Sequence, residues 1–188
     1  MGKQQRKQVL IEAADALFRE RFIAVAQTSC LYRAWCLVSV AESRGVQMLI
    51  QAGSAWWRIT PEGQEKPEGP APFFGYQWQG IEKARELLQQ NIMPEMHVWA
   101  VVPHRGEVVD VTAGVQRQQA AALGLEWRTP ELPPYLWDTG SKLAKKHGAL
   151  YMADEEATRI AFGLVEREAT RLGLKKPSNT RRLVRARR

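Results

Sequence analysis

Residues 29–46 read SCLYRAWCLVSVAESRGV, beginning at Ser29. Apolar side chains recur through this stretch at the three-to-four spacing that defines one face of a helix. Serine is a residue type that caps helix N-termini, and Gly45 is of the type that ends helices. The stretch therefore predicts a helix that carries Cys30 in its first turn and packs its apolar face into the core.

Residues 96–112 predict an antiparallel hairpin further along the chain. With a two-residue loop at residues 104–105, Asp110 lies opposite Trp99 and is the diagonal neighbour of His97 on the same face. A shift of one residue in the loop would turn Asp110 to the other face. The prediction that the imidazole and the carboxylate meet therefore depends on this register.

The order of Cys30, His97 and Asp110 suits nucleophilic catalysis. A free thiol has a pKa of about 8.5, and both the N-terminus of a helix and an adjacent imidazolium favour its thiolate form. Asp110 would hold one ring nitrogen of His97 while the other nitrogen faces the sulfur. Each residue alone also has a structural explanation, because cysteine and histidine occur in cores and aspartate caps strand ends. The set together predicts a catalytic site.

Two further residues near this site have separate interpretations. The backbone amide of Cys30 is a natural oxyanion donor, and the side chain of Gln27 is a candidate for a second donor or a solvated loop residue. Cys36 lies in the middle of the predicted helix and is interpreted as structural. A spacing of six residues within one helix forbids an unstrained disulfide between the two cysteines, so a reducing cytoplasm suits them best.

Helices are predicted on both sides of a group of strands. The predicted helices cover residues 4–22, 81–91, 113–123 and 154–172, and extended structure covers residues 46–59 and 73–78. Prolines and glycines predict loops over residues 60–72 and 129–137, and residues 142–147 form a basic segment. We therefore expect an α+β fold, in which an N-terminal helical part carries Cys30 against an antiparallel sheet with His97 and Asp110.

The composition is that of an ordinary globular protein. A chain of 188 residues with 45% hydrophobic and 25% charged residues predicts one domain, assigned to residues 1–173. No apolar run approaches the roughly 18 residues that span a bilayer, so we expect no membrane association. The three histidines lack a close ligand pair and no glycine-rich phosphate loop is present, so neither a metal nor a cofactor is expected.

The net charge of +7 resides in a basic tail at residues 174–188. This tail contains seven basic and no acidic residues, which leaves 20 basic and 20 acidic residues in the rest of the chain. Such a tail binds nucleic acid or another polyanion, or it is a disordered, solubilising end. An alternative to an enzyme is therefore a catalytically silent accessory protein that binds nucleic acid or a partner through residues 174–188.

Residues 28–112 resemble a known enzyme family. The shared motifs are Ser29-Cys30-Leu31-Tyr32-Arg33, Arg44-Gly45-Val46, Ile50-Gln51-Ala52-Gly53, His97-Val98-Trp99 and the following Asp110. They resemble the transglutaminase-like branch of papain-fold cysteine enzymes, and within it the bacterial peptidases that remove leader sequences from lasso-peptide precursors.

This resemblance implies a fold and a chemistry. The fold would be transglutaminase-like, with a helix-borne cysteine packed against an antiparallel sheet. Cys30 would be the nucleophile, His97 the general base and acid, and Asp110 the residue that orients His97. The expected activity is hydrolysis of a peptide or protein amide, or acyl transfer, through a thioester and without a cofactor.

Overall fold

A computed structural model describes residues 2–22, 29–65 and 71–171. The helices are α1 (Lys3–Phe22), α2 (Cys30–Ser43), α3 (Ile81–Gln89), α4 (Gln116–Ala122), α5 (Gly140–His147) and α6 (Glu155–Arg171). The strands are β1 (Leu49–Arg58), β2 (Phe73–Tyr76), β3 (His97–Val102), β4 (Glu107–Asp110), β5 (Leu136–Thr139) and β6 (Ala149–Ala153). Helices and an antiparallel sheet are thus both present, which confirms the predicted α+β class.

All six strands belong to one antiparallel sheet. The hydrogen-bonded path runs β2-β1-β3-β4-β5, and β6 also pairs with β1. Gly53 pairs with both His97 and Ala153, so β3 and β6 lie along opposite edges of β1. The residues from Ala55 to Trp57 pair with both β2 and β6, so β2 lies on the same edge of β1 as β3. The end of β2 therefore adjoins the start of β3.

The two faces of the sheet pack against different parts of the chain. Side chains alternate along a strand, so Ile50 and Ala52 of β1 face one side while Ala55 and Trp57 face the other. The first face is covered by the apolar faces of α2 and α6, and α1 packs against α2. The second cluster consists of Ala55, Trp57, Ile59, Phe74, Ala113, Ala120, Trp127, Leu132, Leu136, Leu143 and Ala149.

The β3–β4 hairpin has the register that the sequence predicts. Ala100 pairs with Val109, and Val102 pairs with Glu107, which makes Asp110 the diagonal neighbour of His97. The connection is four residues long rather than two, because the ladder stops before a 3₁₀ turn over residues 103–105. Pro103 begins this turn and has no amide hydrogen with which to extend the ladder.

Most predicted elements are present, and two strands were missed. Helices near residues 4–22, 81–91 and 154–172 and strand β1 are confirmed. The predicted helix over 113–123 is a 3₁₀ turn followed by α4, and the basic segment 142–147 forms part of α5. The stretch 129–137 was expected to be a loop throughout, but it ends in β5, and β6 was not predicted at all.

Some predictions fall outside the part of the chain that the structure describes. Gln27 and the basic tail, residues 174–188, are among these. Within the described ranges, no helix combines the length and apolar character needed to cross a membrane.

Candidate active site

Cys30 is the first residue of α2, as predicted. Ser29 is the N-cap, and its side-chain oxygen accepts a hydrogen bond from the Tyr32 amide at 3.5 Å. At the other end of the helix Gly45 adopts a positive φ of 71°, where an L side chain is strained, and ends the helix. Cys30 is a free thiol in a partly exposed residue, and it lies at the helix N-terminus, where the first amides lack intrahelical partners.

His97 and Asp110 form a buried pair. His97 Nε2 lies 3.0 Å from Asp110 Oδ2, and the side chains of both residues are 1% exposed. The other carboxylate oxygen, Oδ1, accepts hydrogen bonds from the Thr112 amide and the Thr112 hydroxyl, each at 2.8 Å. Tyr151 donates its hydroxyl to Oδ2 at 2.8 Å. Asp110 is therefore a fully buried carboxylate with four polar partners, as a buried charge requires.

The charges of this pair stabilise each other. Burial by itself lowers the pKa of His97, but the negative charge and hydrogen bond of Asp110, together with Cys30, outweigh burial and raise that pKa above its usual 6.5. Burial likewise raises the pKa of Asp110, but His97, Thr112 and Tyr151 reverse this and hold the pKa below 3.8. An imidazolium and a carboxylate are therefore the favoured forms at neutral pH.

Aromatic rings fix the plane of the imidazole. The ring of Trp57 contacts His97 edge-on, with centroids 5.0 Å apart and planes at 90°. Tyr76 stacks on His97 at 5.5 Å and 16°, and Trp99 stacks on it at 6.0 Å and 20°. Trp57 and Trp99 are at most 1% exposed, so both rings belong to the core. The imidazole thus has little freedom to turn.

Cys30 lies beside His97 and Tyr76. Its sulfhydryl contributes to raising the pKa of His97, and after burial it is the next cause that raises the pKa of Tyr76 to about 12. His97 Nδ1 makes no hydrogen bond of ordinary geometry within the described residues. A hydrogen bond with Cys30 nevertheless contributes to the raised pKa of His97, so the thiol adjoins the imidazole in a contact that is longer or less aligned than an ordinary hydrogen bond. Such contacts often tighten only when substrate is bound.

The structure therefore brings Cys30, His97 and Asp110 together. The meeting point lies where β2 ends at Tyr76 and β3 begins at His97, next to the N-terminus of α2.

Sequence reasoning missed two residues that support this site. Thr112 had a usable signal, because a threonine two residues after an aspartate commonly donates to its carboxylate in a local turn. Tyr151 had none, because it reaches Asp110 from β6, 41 residues away in sequence.

Cys36 is structural in the fold, in contrast to Cys30. It is 0% exposed within the core cluster that α1, α2, α6 and the sheet share, and burial raises the pKa of its thiol to about 12. The described residues contain no group of three or more histidine, cysteine, aspartate or glutamate side chains arranged to hold a metal ion. Cys30 is thus the accessible thiol of the two.

A large groove lies elsewhere on the molecule. Its volume is about 1050 Å³, and it runs between α1 and the segment that includes β5 and α5. Arg33, one turn after Cys30, lines it, but Cys30, His97 and Asp110 do not. The groove and the site formed by Cys30, His97 and Asp110 are therefore separate.

Comparisons with known proteins add little to this description. No family model matches the chain, and no curated protein matches it. One similar solved structure is a crystal structure described only as a genomics target. It has 13% sequence identity and a TM-score of 0.45, and the match covers 90% of this chain and 74% of that chain. A similarity this distant carries no argument about function, so the function must be argued from the site itself.

Proposed function

We propose that this protein is a cysteine-dependent hydrolase or acyltransferase that attacks amide carbonyls in a peptide or protein. The observation that carries the proposal is the position of His97, held at Nε2 by a buried Asp110 and adjoining Cys30 on its other side. We also propose that the frame is transglutaminase-like, because a helix-borne cysteine precedes a histidine and an aspartate on neighbouring antiparallel strands.

The first half of the reaction forms a thioester. The Cys30 thiolate attacks the carbonyl carbon, and the carbonyl π electrons move to oxygen, where the first amides of α2 are available as donors. The oxyanion then re-forms the carbonyl and the C–N bond breaks. His97 gives its Nδ1 proton to the departing amine, because Nε2 is occupied by Asp110.

The second half releases the acyl group. Water attacks the thioester and passes a proton to His97 Nδ1, and the C–S bond breaks to return the thiolate. An amine that replaces water gives acyl transfer through the same intermediate. Cys30 and Cys36 are both free thiols, and free thiols persist in a reducing compartment. We therefore propose that the protein works in the cytoplasm.

Selective alkylation tests the proposal, with Cys36 as an internal control. Iodoacetamide at pH 6 should modify Cys30 faster than a free cysteine peptide, since a thiol with a pKa of about 8.5 is less than about 1% ionised there and the imidazolium of His97 favours the thiolate. Cys36 should stay unmodified in the same molecule because it is buried. His97→Gln should slow the reaction of Cys30 toward that of the free peptide.

Turnover is then measured on a peptide mixture in H₂¹⁸O, with and without hydroxylamine. Incorporation of ¹⁸O into a new carboxylate indicates hydrolysis, and a hydroxamate indicates transfer from the thioester. Slow alkylation of Cys30, together with neither a new carboxylate nor a hydroxamate, would rule out the proposed hydrolase or acyltransferase activity. Binding of DNA that is lost on removal of residues 174–188 would then favour the accessory protein.

A further inference from the structure

The groove between α1 and the segment that includes β5 and α5 lies outside the candidate active site and has a volume of about 1050 Å³. Its α1 wall runs from Lys3 to Phe18, a distance of about 22 Å at about 1.5 Å per residue. An extended peptide advances about 3.3 Å per residue, so this length accommodates about six or seven residues. The groove therefore has the dimensions of a site for a short stretch of extended chain.

The lining of this groove combines apolar surface with charged groups. Apolar and aromatic side chains come from both walls: Ile11, Phe18, Tyr135, Leu136, Trp137 and Leu143. In a binding site of this kind the apolar side chains supply contact area, and the few polar and charged groups determine which ligand is accepted. The charged residues of the lining therefore indicate the chemistry of the ligand.

The acidic residues of the lining already have partners within the chain. Four acidic residues line the groove, and each lies next to a cation or an amide donor. The contacts are Asp15 with Arg19 and Arg33, Asp138 with Lys142, Glu131 with Arg117, and Glu12 with the side-chain amide of Gln8. These carboxylates therefore do not need a cationic ligand.

The lysines of the lining are only partly paired. Four lysines line the groove, and two of them, Lys3 and Lys142, form ion pairs with acidic residues. Lys7 and Lys146 form no ion pair with any residue that the structure describes. Lys7 belongs to α1 and Lys146 to α5, so the two walls of the groove each present one positive charge without a counter-ion.

The surroundings of Lys7 favour a bound anion. Its ammonium donates a hydrogen bond to the Trp137 carbonyl oxygen at 3.0 Å and lies 4.7 Å from the centroid of the Trp137 ring. Burial lowers the pKa of Lys7, the like charges of Lys3 and Arg105 add to this effect, and nearby acidic residues offset it only in part. A carboxylate bound beside Lys7 would compensate for this burial.

The distribution of charge favours a peptide over a nucleic acid. A nucleic acid carries a phosphate at every nucleotide, so its binding sites need positive charge along their whole length. Here Glu12 and Asp15 follow Lys7 along the α1 wall and would face such phosphates. A peptide with acidic and apolar side chains avoids this repulsion, because it places its carboxylates only where the unpaired lysines lie.

We propose that this groove binds an extended peptide segment with acidic side chains, whose carboxylates pair with Lys7 on one wall and Lys146 on the other. Adjacent side chains of an extended chain point in opposite directions, so two neighbouring acidic residues reach the two walls. This binding site goes beyond the proposed function and does not depend on the reactivity of Cys30.

Two matched peptides test the proposal by fluorescence anisotropy: fluorescein-Gly-Leu-Glu-Glu-Leu-Glu-Glu-amide and the same peptide with glutamine in place of glutamate. Every protein carries Cys30→Ala, which removes the thiol and prevents turnover. At neutral pH and low ionic strength the glutamyl peptide should bind about tenfold more tightly than the glutaminyl peptide, since two partly screened ion pairs are worth about that factor.

The test variant is Lys7→Gln with Lys146→Gln, in which the new amide at residue 7 keeps an N–H donor for the Trp137 carbonyl. Its preference for the glutamyl peptide should fall to within about twofold. Lys146→Gln alone, at an exposed residue, should lower the preference to about threefold. The matched control is Lys83→Gln with Lys145→Gln, which removes the same charge outside the groove and should retain the full preference. Urea unfolding establishes that each variant is folded.

Three outcomes would overturn the proposal. The first is equal affinity of the chain for the two peptides. The second is a glutamyl preference that the double variant at Lys7 and Lys146 retains, or that the control also loses, because positive charge elsewhere then binds the peptide. The third is displacement of the glutamyl peptide by a poly-dT oligonucleotide at lower concentration than by unlabelled peptide, which would assign the groove to nucleic acid.

Discussion

The hydroxyl of Tyr151 makes a contact that can be removed without disturbing its ring. In Tyr151→Phe the ring keeps its contacts with Trp99, 5.2 Å away, and Trp57, 6.2 Å away, and the 2.8 Å hydrogen bond to Asp110 is lost. A hydrogen bond to a buried charge is worth about 1.5–3 kcal/mol. We expect the free energy of unfolding to fall by that amount, which lowers Tm by about 3–10 °C for a chain of this size.

The pH dependence of this loss identifies its cause. Tyr151 is one of the groups that hold the pKa of Asp110 below 3.8, so the contact stabilises the ionised form. A lowered folded-state pKa gives stability that is present above the unfolded-state pKa of about 3.9 and is lost as pH falls through the folded-state value. Because the unfolded chain is the same in both proteins, the difference between wild type and Tyr151→Phe should stay constant from pH 7 down to the pKa of Asp110 in the folded variant and shrink below that pKa.

Urea unfolding followed by tryptophan fluorescence measures this difference. Tyr135→Phe is the matched control, because the Tyr135 hydroxyl bonds only to amide side chains at the surface, and we expect a change below about 0.5 kcal/mol. A Tyr151→Phe variant as stable as the control would refute the inference that this hydroxyl supports a buried carboxylate. A loss that grows as the pH falls would also refute it.

Three other outcomes follow from the structure. His97→Gln should lower the free energy of unfolding most below about pH 6.5, and this loss should decline at alkaline pH. The reason is that the pKa of His97 is raised in the folded state, so the stability it gives disappears as the pH rises through that folded-state pKa. A loss independent of pH would contradict the ion pair. Gly75→Ala should cost about 3 kcal/mol, because the new Cβ would lie 2.2 Å from the Ala55 carbonyl oxygen, whereas Gly163→Ala in α6, with no atom within 4 Å, should be neutral or stabilising in the same urea titration. Cys36 should react with a thiol reagent only at the rate of global unfolding, and labelling in native buffer at the Cys30 rate would exclude the buried position.

Local sequence signals were sufficient for the parts of the site that are close in the chain. The cap at Ser29 and the glycine at residue 45 defined α2 and placed Cys30 at its start. In the hairpin, side chains alternate between the two faces of each strand, so the assumed register placed His97 and Asp110 on one face. The observed pairing has that register. These features depend only on residues a few positions away in the chain, so the local sequence is enough to predict them.

Strands β5 and β6 had no comparable signal. Each is five residues or fewer, and β5 directly follows Pro133 and Pro134, which indicate a loop. Their strand conformation comes from pairing: β5 with β4, and β6 with β1, almost 100 residues earlier in the chain. A segment this short cannot show a period, and its backbone hydrogen bonds exist only when the distant partner strand is present.

By itself the sequence determined the α+β class, the helix that begins at Cys30 and the pairing of His97 with Asp110, because each follows from periodicity, capping or a short turn. Only the tertiary structure decided that the helix N-terminus meets the place where β2 ends and β3 begins, and that Tyr151 of β6 supports the carboxylate. These relations join residues far apart in the chain, and folding brings such residues together through the packing of the whole sheet, which no local pattern encodes.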